Sequence, residues 1–124
     1  DKLFDALDDV GAGSIAFCPL AQGLLTDRYL NGIPAGSRAT KSRFLRPEYI
    51  TDELRTKLRA LNELAKNRGQ SLSEMALSWA LRKNRLTSVL TGSSRAEQIA
   101  QNVKILEKTD FSDDELSAID SILG

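Results

Sequence analysis

Thr87-Ser88-Val89-Leu90-Thr91-Gly92-Ser93-Ser94-Arg95-Ala96-Glu97-Gln98-Ile99-Ala100-Gln101-Asn102 is the stretch that decides the fold. It reads as a short strand from Thr87 to Thr91, a Gly-Ser-Ser turn, and the opening of a helix. A strand that passes through a small-residue turn into a helix is the unit of parallel α/β structure. Anion sites use the same order. Free backbone N–H groups and the positive end of the helix dipole face whatever lies beyond the turn. Gly92 lets the backbone approach a ligand closely, and the serines add hydroxyl donors. Arg95 adds a fixed positive charge. Gln98 and Asn102 lie four residues apart and share a helix face with Ser94. A ligand with a phosphate and a hydrogen-bonding base suits that surface. The stretch also reads as an ordinary capped helix, since Ser94-x-x-Glu97 is a capping box. Taken alone, it leaves both readings open.

A second strand precedes it. Ile15-Ala16-Phe17-Cys18 is a short apolar run, too short for a helix, and reads as a strand buried on both faces. Pro19 closes it, because proline lacks the N–H that a ladder needs. Upstream, Asp1 to Val10 reads as a helix with Leu3, Phe4, Leu7 and Val10 on one buried face. Downstream, Gly32 to Ile50 reads as a long loop with Arg38, Lys41, Arg43 and Arg46 against only Glu48. Such a loop is a functional lid or a solvated basic segment.

Thr51 caps the next helix, whose apolar stripe is Leu54, Leu58, Leu61, Leu64 and Ala65 and which Gly69 ends. Ser71-x-x-Glu74 boxes a further helix with Met75, Ala76, Trp79 and Ala80 on one face. Trp79 reads as a core anchor rather than a stacking platform. The helix after Ser94 turns Ile99, Val103 and Leu106 inward. Ser112-x-x-Glu115 opens a last helix.

The 124 residues carry 17 basic and 17 acidic side chains, one cysteine (Cys18) and no histidine. Balanced charge argues against nucleic acid or an anionic membrane as the main partner. A single cysteine excludes an intrachain disulfide and suits a cytoplasmic setting. No apolar run reaches the ~20 residues of a membrane helix. Without histidine, acid–base chemistry falls to Lys, Asp, Glu or the two tyrosines, Tyr29 and Tyr49, or to groups outside this chain. The awkward feature is the strand count. Two strands form too small a sheet to bury Ile15, Phe17, Val89 and Leu90. A piece of a larger parallel α/β structure is therefore expected, and a start at Asp1 inside a helix fits that expectation.

Phe17-Cys18-Pro19-Leu20-Ala21-Gln22-Gly23-Leu24-Leu25-Thr26, the segment from Asn31-Gly32-Ile33-Pro34 to Ser37-Arg38, and Ser88 to Ser94 with Gln98 and Asn102 resemble the aldo-keto reductases. The motifs resemble most the branch that holds both bacterial reductases and potassium-channel β subunits. The resemblance implies a (β/α)8 TIM barrel, with residues 1–124 as a single segment forming its C-terminal part. The strands at Ser14 to Cys18 and Thr87 to Thr91 would be the seventh and eighth. A complete barrel takes about 250 residues, so about half would be the remainder of the barrel.

The resemblance also implies an NADP(H) site. Pro19, Leu20, Ala21 and Gly23 match the segment along the nicotinamide ribose and pyrophosphate. Arg28 matches a basic position near the pyrophosphate, and Arg38 one in the loop over the dinucleotide. Gly92 and Ser94 match the turn around the 2′-phosphate. Gln98 and Asn102 match contacts to that phosphate and the adenine. Gln101 stands where the family usually has Glu, and Cys18 where it often has Ser, Thr or Tyr, so Cys18 is read as strand packing. The family's Asp, Tyr, Lys, His tetrad has no match here, and neither Tyr29 nor Tyr49 takes the place of its tyrosine. The expected role is the cofactor-holding part of an oxidoreductase that reduces small aldehydes or ketones, the segment alone being inactive. A non-catalytic NADP-binding regulatory subunit is the second expectation. A small α/β domain whose capped helices mimic a nucleotide site is the third.

Overall fold

The computed structural model describes residues 2–84 and 86–124. Its order is α1 (Lys2–Asp9), β1 (Ile15–Phe17), α2 (Arg38–Lys41), α3 (Asp52–Asn67), α4 (Leu72–Leu81), β2 (Ser88–Leu90), α5 (Ala96–Lys104) and α6 (Asp113–Leu123). Asp1, the expected start of the first helix, lies outside the described residues. β1 and β2 pair in parallel, with Ile15 opposite Ser88 and Phe17 opposite Leu90. The chain is thus α/β with a two-stranded parallel sheet. At the near end of the ladder, the Thr87 hydroxyl accepts the Ser14 N–H at 2.9 Å.

The helices start where local chemistry says they should. Thr51 Oγ1 accepts the Leu54 N–H at 3.1 Å, capping α3. Gly69, at φ +72°, supplies the left-handed residue that ends it. Ser71 with Glu74 and Ser112 with Glu115 form reciprocal capping boxes for α4 and α6.

Helices form the core. α3 packs on α4 and α6, burying Leu58, Leu61, Ala65, Leu72, Met75 and Ile119 together with Leu30. Each large apolar side chain buried there contributes about 1.5–3 kcal/mol. Trp79 anchors the edge of this cluster, half-buried, with the Arg82 guanidinium stacked 3.6 Å from its ring. A second cluster gathers Tyr29, Ala39, Leu45 and Ile50. It corrects the expectation of an unstructured segment from Gly32 to Ile50. The Tyr29 hydroxyl, fully buried, accepts the Ala39 N–H at 3.3 Å and pins α2 in place. Tyr29 is therefore a packing residue.

The other correction concerns burial. α1, read with one buried face, has no buried residue, whereas β1 and β2 expose Ile15, Phe17 and Leu90, as expected of so small a sheet. Ile99, Val103 and Leu106, expected to turn inward, are likewise more than half exposed. Their periodicity is real, but α4, which lies against α5, leaves them facing an open cavity shared with Leu77 and Leu81.

A buried ionic network closes α3 onto α6. Arg68, only 4% exposed, pairs with Glu115 at 2.5 Å. It also donates to Gln70 Oε1 at 2.9 Å and to the Asp110 carbonyl at 3.0 Å, and stacks 3.7 Å from the Phe111 ring. Its own carbonyl accepts from Lys108 Nζ. Burial alone would raise the Glu115 pKa, but the Ser112 N–H and the Arg68 guanidinium outweigh it and hold the carboxyl below its ordinary range. A carboxylate with a lowered folded pKa stabilises the fold above its unfolded pKa, and that contribution fades as pH falls through the folded value. The stability lost in Glu115→Gln should therefore be full at pH 7 and shrink below the unfolded value near 4.5. Urea unfolding of both proteins from pH 7 to pH 3 checks it. A pH-independent difference would contradict the assignment.

Candidate functional site

In a parallel pair in register, both strands end on the same side. The residues that follow Phe17 and Leu90 must therefore meet beyond the carboxyl ends of the sheet, where open and closed α/β sheets place their ligands. They do meet there. A cleft of about 650 Å³ lies between Cys18 to Gly23 on one side and Thr91 to Ser94 on the other.

Eight of the ten expected residues line it. Pro19, Leu20 and Gly23 come from the turn after β1. Arg28 and Arg38 come from the segment that follows, and Gly92, Ser94 and Gln98 from the turn after β2 and the first turns of α5. Two expected residues are not on its wall. Ala21 is exposed just outside it. Asn102, one turn beyond Gln98, faces a separate cavity of about 560 Å³ shared with Leu77, Leu81 and Val103. A four-residue spacing puts Gln98 and Asn102 on one helix face, but the cleft reaches only the first of them.

The turn after β1 is unusual in its backbone. Cys18, Ala21 and Gln22 sit at φ +54°, +47° and +61°, followed by Gly23 at +90°. Left-handed conformations at non-glycine residues are rare and cluster at ligand-holding segments. Within this turn Gln22 Nε2 donates to Cys18 Sγ at 3.7 Å, and Arg38 donates to Gln22 Oε1 at 3.3 Å. Gln22 belongs to the cleft and was absent from the expected residues, although it stands in the middle of the motif that identified the turn. Thr26 and Ser93 also line the cleft, and the buried Ser93 Oγ has no hydrogen-bond partner among the described residues.

On the opposite wall the helix start is one residue later than expected. Arg95, not Ser94, is the residue before the first turn of α5. The side-chain oxygen of Gln98 accepts the Ser94 N–H at 2.9 Å, the Ser94 hydroxyl at 3.3 Å and the Arg95 N–H at 3.2 Å. Gln98 thus does what the Ser94-x-x-Glu97 box was expected to do. Gly92 has open space where a side chain would project, so a ligand can approach its backbone.

The charge of the cleft is one-sided. Arg28 and Arg38 line it, and among the described residues no Asp or Glu does. The two arginines make the wall positive, while at the α5 amino end the Ser94 and Arg95 N–H groups are already bonded to Gln98. Among the described residues no three His, Cys, Asp or Glu side chains gather closely enough to hold a metal ion. No described helix is long and apolar enough to cross a membrane.

The sequence pattern of the aldo/keto reductase family matches residues 1–124. The chain is 53% identical over 122 residues to L-glyceraldehyde 3-phosphate reductase of Escherichia coli, in both strains O157:H7 and K12. It is 36% identical over 119 residues to a putative voltage-gated potassium channel subunit beta of Schizosaccharomyces pombe. These alignments take in 92 to 95% of the chain but 35% of each relative. The chain therefore spans about a third of the length of the curated relatives it matches, less than the half expected for a minimal barrel.

Proposed function

The chain belongs to the aldo/keto reductase family, and from that premise we propose that residues 1–124 form the C-terminal, NADP-holding part of a (β/α)8 barrel that reduces small aldehydes or ketones. The family and the reductase relatives support an oxidoreductase. The observation that carries the cofactor reading is the cleft beyond both strand ends, with two arginines, a helix amino end and, among the described residues, no carboxylate. NADPH supplies the hydride for carbonyl reduction. Pro19, Leu20 and Gly23 would line its ribose and pyrophosphate, with Ala21 just outside the cleft and Arg28 beside the pyrophosphate. Arg38, at the start of α2, would reach the dinucleotide from the cleft wall. Gly92, Ser94 and Gln98 would hold the 2′-phosphate and the adenine, while Asn102 faces the neighbouring cavity. No residue of this segment takes a catalytic role. The acid that protonates the carbonyl oxygen belongs to the remainder of the barrel, and the segment alone is inactive. The substrate class is a small carbonyl compound, triose phosphates included, since the bacterial relatives are named for one. We place the protein in the cytoplasm.

A second reading has a specific observation behind it, the resemblance to a channel subunit beta. There, bound NADP would modulate a partner rather than reduce a substrate. The test is NADPH binding and NADPH oxidation by the whole protein with a panel of small aldehydes. Binding with turnover in the ordinary range of ~1–1000 s⁻¹ is expected. Binding without turnover favours the regulatory reading. No binding rejects both.

A further inference from the structure

We propose that Gln22 is a positioning residue for the cofactor: it holds the Arg38 guanidinium over the cleft while leaving its charge uncompensated. The inference rests on the NADP reading above. Arg38 is exposed and sits at the start of α2, whose backbone is anchored one residue later by the Ala39 N–H on the buried Tyr29 hydroxyl. The base of the side chain is therefore fixed, but its long stem is not. Gln22 fixes the tip. Its oxygen accepts from Arg38 at 3.3 Å while its nitrogen donates to Cys18 Sγ at 3.7 Å. The orientation of the amide follows, because a guanidinium can only donate. The left-handed backbone of Gln22, at φ +61°, belongs to the turn that lines the cleft.

The chemistry of the tether matters more than its existence. A carboxylate at this position would hold Arg38 as well, and would cancel its charge. The side-chain ion pairs among the described residues involve Arg46, Arg55, Lys57, Lys66 and Arg68, not Arg38. A neutral acceptor leaves the full positive charge for the ligand and removes rotamer freedom before the ligand arrives. Gln22 acts through Arg38, so its contribution must vanish when Arg38 is absent.

The experiment is a fluorescence titration of the whole protein with NADPH for the wild type, Gln22→Ala, Gln22→Glu, Arg38→Ala and the double variant Gln22→Ala/Arg38→Ala. Gln22→Ala should weaken NADPH about three- to tenfold, the gain from pre-ordering one long side chain. The same change made on top of Arg38→Ala should cost nothing further. Gln22→Glu, close to isosteric, should weaken NADPH more than Gln22→Ala, because it pairs with Arg38 and repels the phosphates. It also carries the test if Gln22→Ala folds poorly. Equal losses from Gln22→Ala with and without Arg38 would overturn the inference, as would wild-type affinity in Gln22→Glu. In either case the NADP reading would stand. A wild type that binds no NADPH would remove that reading and this inference with it.

Discussion

Arg68→Met should destabilise the protein by about 1–3 kcal/mol, the cost of leaving buried acceptors without their donor while Glu115 keeps water and the Ser112 N–H. Methionine keeps much of the stem packing, so the loss reports the charge. Glu115 would remain at the α6 amino end without its guanidinium, and the Asp110 carbonyl and Gln70 Oε1 would each lose a donor. Contact with the Phe111 face would change from a cation to a thioether. Arg68→Lys should rescue little. One ammonium cannot reach three acceptors in a plane while covering a ring. Lys66→Ala is the control. Lys66 pairs with Glu63 on the exposed face of α3, and such pairs contribute only a few tenths of a kcal/mol. Urea unfolding midpoints at constant slope decide it. A shift for Arg68→Met no larger than that for Lys66→Ala would mean that the network is ornamental.

Arg38→Ala should weaken NADPH by roughly ten- to a hundredfold, the range of about 1.5–3 kcal/mol for a hydrogen bond to a charged group. NADH should lose less, because in the proposed reading Arg38 and Ser94 face the 2′-phosphate, which NADH lacks. Titration of the whole protein with both dinucleotides, at low and moderate salt, gives the ratio. The NADPH loss should shrink as salt rises. Equal losses for NADPH and NADH would move Arg38 away from the 2′-phosphate. No loss for either would take it out of the cofactor site.

The parts of this molecule legible in its sequence are those whose causes are local. The Thr51 cap, the Ser71–Glu74 and Ser112–Glu115 boxes and the Gly69 stop each depend on residues within a turn of one another. The two strands and their parallel order follow from short apolar runs separated by helices. What was misread depended on distant partners. Nothing near Ala39 announces that its N–H will meet the Tyr29 hydroxyl, so the ordered segment read as a loop. Periodicity in α1 and α5 says which face is apolar, not whether a neighbour covers it. At the site, the turns after both strands were legible by resemblance. The role of Gln98 was displaced by one residue because helix boundaries are. Gln22 was overlooked because its significance lies in a contact with Arg38, sixteen residues away.

The uncovered faces of the sheet have a consequence for how the chain opens. The cluster of Leu58, Leu72, Met75 and Ile119 is closed by α3, α4 and α6 with Leu24, Leu25 and Leu30, and no described residue of β1, α1 or α5 belongs to it. Local opening free energies should therefore divide along that line. Amide hydrogens of α3, α4 and α6 would exchange slowly and together, as one cooperative unit. Those of β1, β2 and α1 would take their protection from whatever lies against them. The cleft sits on the seam, its strand-borne floor in the yielding half and Arg38 tied through Tyr29 to the second cluster of Ala39, Leu45 and Ile50.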